Sequence, residues 1–185
     1  MRRADLEQFV GATVDDLIGP GLKLLFVGIN PGLWTAATGA HFAHPGNRFY
    51  PALAEAGITD YRIDAADGYS DADRDHLIER GIGVTNFVER ATATAAELER
   101  DEYREGAERL VKNIEAWQPP VVAVVGIGAY RTAFKLPKAK AGRQDVDLGG
   151  AKLWVLGNPS GLNAHETVGS LAKAYREPAE AAGIV

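Results

Sequence analysis

Apolar positions along this chain fall into two kinds of run. Four are short and continuous: "KLLFVGI" at 23–29, "GIGVTNFV" at 81–88, "VVAVVG" at 121–126 and "KLWVLGN" at 152–158. Continuous runs, as opposed to alternating ones, predict strands buried on both faces, as in a parallel sheet covered by helices. Between them the period lengthens. Tyr103, Ala107, Leu110, Val111, Ile114 and Trp117 mark one helical stripe, ended by Pro119. Val168, Leu171, Ala172, Tyr175 and Ala179 mark another, with Asn163 and Glu166 spaced as a capping box ahead of it. Shorter helices are expected near 48–56 and 129–134, the second entered through the "GIGAY" turn. Residues 60–75 are polar and acidic and read as a surface excursion. The predicted fold class is α/β: a three-layer α/β/α sandwich around a central, mainly parallel four-stranded sheet.

Length and composition narrow the class. At 185 residues, residues 1–185 read as a single domain able to bury a full core. An apolar fraction of 46% with interleaved charges marks a globular chain, not a disordered one. No run of eighteen apolar residues occurs, and "MRRADLEQFV" lacks the apolar core of a signal peptide, so neither membrane nor export is expected. The count of Cys is 0, which excludes disulfides, thiol nucleophiles and iron–sulfur clusters. These features predict a cytoplasmic protein.

The net charge of −5 argues at first against a nucleic-acid partner. Its distribution softens that. Residues 55–105 hold 14 acidic against 6 basic side chains, leaving the remainder with 11 against 14. Lys135, Lys138, Lys140 and Arg143 form a local basic cluster, which also reads as a solvated loop. A weakly charged protein still holds DNA through backbone N–H groups and shape, with a shallow salt dependence.

Candidate chemistry gathers at strand ends. The first run closes on "GINPGL" and the fourth on "GNPSGL", so each delivers an Asn, Asn30 or Asn158, into a turn fixed by Pro. One Asn-Pro is an ordinary turn. Two on one edge of a parallel sheet, where such sheets bind ligands, are harder to assign to turns alone. An amide orients water or donates to a carbonyl without charging a dry pocket, but it is no strong base. It therefore suits a bond that breaks with little prior proton abstraction, as a glycosidic bond does through an oxocarbenium-like transition state. Phosphate-binding glycine loops and a GxSxG elbow are absent. His41 and His44 alone make no metal site, and no metal or other cofactor is expected.

"GINPGL", "TGAHFAHPGNRFY", "GVTNFVER" and "NPSGLN", in that order from about Leu24 to Arg176, resemble the mismatch-specific uracil-DNA glycosylases, the group that includes thymine-DNA glycosylase. The resemblance implies a uracil-DNA glycosylase-like fold and a monofunctional enzyme. Such an enzyme flips uracil, chiefly from G·U mismatches, with ethenocytosine as a further substrate, and hydrolyses its N-glycosidic bond. An abasic site remains, which initiates base excision repair. It implies double-stranded DNA containing uracil as the partner, no membrane, a monomer and association with the nucleoid. By this resemblance Asn30 positions the attacking water and Phe42 stacks on the extruded base. Amides near Ile29 and Phe42 read the pyrimidine carbonyls. Asn158 lies beside the sugar, and Gly161, Leu162 and Asn163 form the wedge that fills the vacated stack and reads the opposite guanine.

Read from the residues alone, Phe42 and Leu162 also fit an ordinary core, and Asn163 a helix cap. Three places depart from the resemblance. Trp34 and Thr35 follow "GINPGL" where bacterial mismatch enzymes carry small serines; the bulky Trp34 narrows the pocket or supplies a DNA contact, which bears on thymine acceptance. Asn86 stands where relatives carry lysine or an acidic residue; reaching the uracil or the water, it widens activity beyond G·U. Ala164 stands where relatives carry an arginine, which weakens grip on the opposite strand. Two rivals remain: a non-catalytic DNA-damage binding module on the same fold, and a hydrolase of free nucleosides, for which a leucine wedge has no use.

Overall fold

The computed structural model describes residues 1–185. Five strands form one sheet: β1 (Leu24–Gly28), β2 (Ile82–Asn86), β3 (Val121–Val125), β4 (Gly142–Arg143) and β5 (Lys152–Leu156), in spatial order β2-β1-β3-β5-β4. The four predicted strands are mutually parallel, each trimmed by one to three residues. The fifth, β4, runs antiparallel at the edge and pairs only Gly142 with Val155 and Arg143 with Trp154. Two residues without an apolar pattern leave no periodic signal, so a four-stranded expectation becomes a five-stranded sheet. At the other edge Leu17 bridges antiparallel to Val84 and covers β2.

Alternate strand residues feed two cores, as the pleat requires. Leu24, Phe26, Val84, Ala123 and Trp154 face one layer, made by α3 (Phe49–Glu55), α4 (Asp71–Glu79) and α7 (Val168–Ala181). Leu25, Val27, Val122, Val124 and Val155 face the other, made by α5 (Arg100–Trp117) and α6 (Ile127–Phe134). The predicted stripe on α5 is realised, with Ala107, Leu110 and Ile114 buried. Gln118 closes that helix in the left-handed region at φ 53°.

Elsewhere the details differ. Helix α7 is capped by Thr167, whose side chain accepts from the Ser170 N–H; Asn163 lies four residues too early and serves its own loop. The acidic excursion ends at Ser70, which caps α4, and is pinned by buried Ile63 and Ala65. Two further helices escaped the pattern: α1 (Arg3–Leu6), which a 3-10 turn at Glu7–Phe9 continues, and α2 (Leu33–Thr38). Both are too short to show a helical period.

Candidate functional site

The carboxyl edge of the sheet opens into a cavity of about 930 Å³. Parallel strands aim their C-terminal ends at one rim, so Asn86 at the end of β2, Asn30 two residues beyond β1 and Asn158 two beyond β5 all line it. Ile29, Phe42, Gly161 and Leu162 line it as well. Asn163, the remaining residue of the expected wedge, does not line it.

Asn30 is held by its nitrogen. Nδ2 donates to the Arg90 carbonyl at 3.0 Å and to Thr92 Oγ1 at 2.7 Å. Thr92 spends its own proton on the Thr94 carbonyl at 2.8 Å, so its oxygen can only accept here. That fixes the amide's orientation: Oδ1 is the free end, an acceptor with no donor from the protein. The supporting loop is itself tied down. Thr92 N–H donates to the Pro31 carbonyl, extending the β1–β2 pairing beyond the strands, and Arg90 is paired with Glu102. The guanidinium lowers the Glu102 carboxyl to about 2, so the pair persists far into acid.

Phe42 has φ 53°, an uncommon conformation for a bulky residue. A closed ring of hydrogen bonds holds the preceding peptide. Tyr50 Oη donates to the His41 carbonyl at 2.7 Å and accepts from Tyr69 Oη at 2.6 Å, while Tyr69 Oη accepts from the His41 N–H at 3.2 Å. Burial pushes both phenols above their ordinary range, so they stay protonated. The Phe42 ring lies on Phe49, centroids 4.1 Å apart and 30° between planes. It is thus both packed and cavity-lining. Neither the Phe42 nor the Ile29 N–H donates to a backbone acceptor in the protein, so both remain available to a ligand carbonyl.

Asn86 connects this wall to a buried histidine. His41 Nε2 lies 2.8 Å from the Asp15 carbonyl, which only accepts, so Nε2 carries the proton and Nδ1 accepts. Asn86 Nδ2 sits 3.5 Å from that Nδ1, at the limit of a hydrogen bond, which leaves Oδ1 toward Gly28. A Cβ on residue 28 would stand 2.5 Å from Asn86 Oδ1 and 3.3 Å from the Phe42 ring, so only glycine fits beneath both. Burial holds the His41 imidazole below its usual value, hence neutral at pH 7. His44 is exposed, edge-on to Trp34 at 5.3 Å. No group of three or more His, Asp or Glu is arranged to hold a metal ion.

At the rim, Asn158 Oδ1 accepts from the Ser160 N–H at 2.9 Å and Asn163 Nδ2 donates to the Asn158 carbonyl at 3.0 Å. This loop carries Leu162 at 92% exposure, which removes the reading of Leu162 as core. Trp34 is tethered: its Nε1–H donates to the Ala66 carbonyl at 2.8 Å, fixing the indole in the cavity wall. Residues missed from sequence include Thr92 and Arg90, distant in the chain, and Arg3, Leu6 and Val10 of the N-terminal turn on the far wall. The spacing of Leu6, Phe9 and Val10 was the available signal.

The fold and cavity define an α/β protein with an open cavity at the carboxyl edge of a parallel sheet, where such folds bind ligands. The chain belongs to the uracil DNA glycosylase superfamily, whose family profile matches residues 16–180. Its fold is similar to the solution NMR structure of a candidate uracil DNA glycosylase from Methanosarcina acetivorans. The TM-score is 0.61 at 14% identity, over 91% of this chain and 98% of that one, a likeness of fold.

Proposed function

We propose that the protein is a uracil-DNA glycosylase of the mismatch-specific kind, acting on uracil flipped from double-stranded DNA, chiefly opposite guanine. The observation that carries this reading is the Asn30 amide, locked by Arg90 and Thr92 with Oδ1 free in the cavity. An acceptor so fixed orients a water by one of its protons and turns a lone pair toward the sugar C1′. The C1′–N1 bond breaks with its electrons leaving on the uracil, whose O2 and O4 receive the free N–H groups of Ile29 and Phe42. Water adds to C1′ and releases a proton to solvent, leaving an abasic site. Phe42 stacks on the flipped base, Asn158 stands beside the sugar, and Gly161, Leu162 and Asn163 fill the gap. Asn86 presents Oδ1 to the base edge, matching the N3–H of uracil.

Ethenocytosine is the second substrate of this reading. The test is base release from duplexes carrying G·U, A·U, G·T or G·ethenocytosine, for the wild type and Asn86→Ala. Fastest release from G·U, with the variant losing uracil on both G·U and A·U, is the expected result. Binding of the duplexes without release by the wild type would instead identify a non-catalytic damage-binding module.

A further inference from the structure

Leu162 poses a physical problem that the site as described does not solve. An apolar side chain at 92% exposure gains by folding back onto the protein, and a loose loop would let it. Arg48, in the residue preceding α3, supplies the restraint. Its Nη1 donates to the carbonyls of Asn163 at 2.8 Å and Glu166 at 2.9 Å. Longer approaches of 3.5 Å reach the carbonyls of Ser160 and Gly161, and the Arg48 N–H donates to the Pro159 carbonyl at 2.9 Å. No carboxylate pairs with this guanidinium. Its partners are the backbone of one loop, 159–166, and only a planar fork with several donors reaches that many carbonyls at once. Beneath the loop the backbones of the two segments touch: a Cβ on Gly161 would stand 2.6 Å from the Gly46 carbonyl oxygen.

We propose that Arg48 is a positioning residue for the wedge, holding loop 159–166 in the shape that keeps Leu162 extended before DNA arrives. This rests on the reading that the protein flips a base from duplex DNA. Preorganisation of this kind removes the cost of ordering the loop at the moment of insertion. The same residue begins the helix that carries Phe49, on which Phe42 lies, so wedge and base pocket share one anchor.

The test is a double-mutant cycle of Arg48→Met and Leu162→Ala. It reads single-turnover uracil release from a G·U duplex, and the fluorescence of a 2-aminopurine placed next to the uracil. Each single change should lower uracil release about tenfold or more and reduce the 2-aminopurine signal, Arg48→Met by losing the charge-assisted hydrogen bonds that hold the loop and Leu162→Ala by removing the apolar plug. In the double variant the effects should fail to multiply, because Arg48 acts through Leu162. Hydrogen exchange of the amides at 160–166 should quicken in Arg48→Met while the β1 amides stay protected. If Arg48→Met does not fold, Arg48→Lys, which keeps the charge and loses the fork, takes its place in both experiments. Multiplicative losses, or unchanged exchange at 160–166, would overturn the proposal. Should the wild type release no base from any duplex, the glycosylase reading fails, while the 2-aminopurine signal and the exchange still decide the role of Arg48.

Discussion

Asn30 shows how much of a candidate site residue lies in what surrounds it. Its type and place were legible, since "GINPGL" and "GNPSGL" repeat one strand ending. What makes it directional was not legible: Thr92 and the Arg90 carbonyl lie 62 and 60 residues away and meet it only once β1 and β2 pair. The same holds for His41, which the sequence offered as a poor metal ligand and the structure uses to brace Asn86. This histidine makes a pH prediction. Its native pKa lies below the ordinary 6.5, so the unfolded chain binds the proton more tightly. Stability from this group is complete above about pH 6.5 and declines as the pH falls below it. Asp16, raised by burial, acts oppositely: its contribution is present below 3.8 and lost as the pH rises through its native value. Thermal melting from pH 8 to 5 should therefore show a decline below about 6.5 that flattens in His41→Gln. An identical decline in that variant would remove His41 as the cause.

At the level of elements, legibility followed burial. Strands enclosed on both faces have nothing but apolar residues to write, so β1, β3 and β5 stood out. Helix α5 stood out because its stripe runs from Tyr103 to Trp117, most of the helix. Helix α4 buries only Leu77, so its charged sequence carries no stripe, and its segment read as an acidic excursion. The 159–166 loop was readable as a motif but not as a shape, because its geometry depends on Arg48 from outside the loop. One contact between elements is testable directly. Gly106 of α5 lies so close to Phe87 that an added Cβ would collide with the Phe87 carbonyl, a backbone atom unable to yield cheaply. Gly106→Ala gains helix propensity yet should lose roughly 1–3 kcal/mol of stability by overpacking. Urea denaturation measures it, and an unchanged or raised midpoint would show that α5 has room to move.

For the molecule as a whole, the fold class followed from the sequence because all the main strands are of one kind, and only the small edge strand β4 was added. No helix is long and apolar enough to cross a membrane. The net charge of −5 bears on how such a protein would hold DNA. Affinity for a G·U duplex should fall only gently with salt, with a log–log slope of about −3 or shallower, since each phosphate neutralised contributes about −0.9. A slope near −6 would mean a cationic surface that the charge distribution does not suggest.

On the proposed mechanism a fixed amide orients the water that replaces uracil, and no stronger base takes part. The most direct measurement is single-turnover uracil release from a G·U duplex by wild type and Asn30→Ala, with duplex affinity measured alongside. That mechanism requires release slowed by at least about a hundredfold, the scale expected when a reacting group loses its orientation, with affinity changed by less than about threefold. Release by Asn30→Ala at close to the wild-type rate would contradict it.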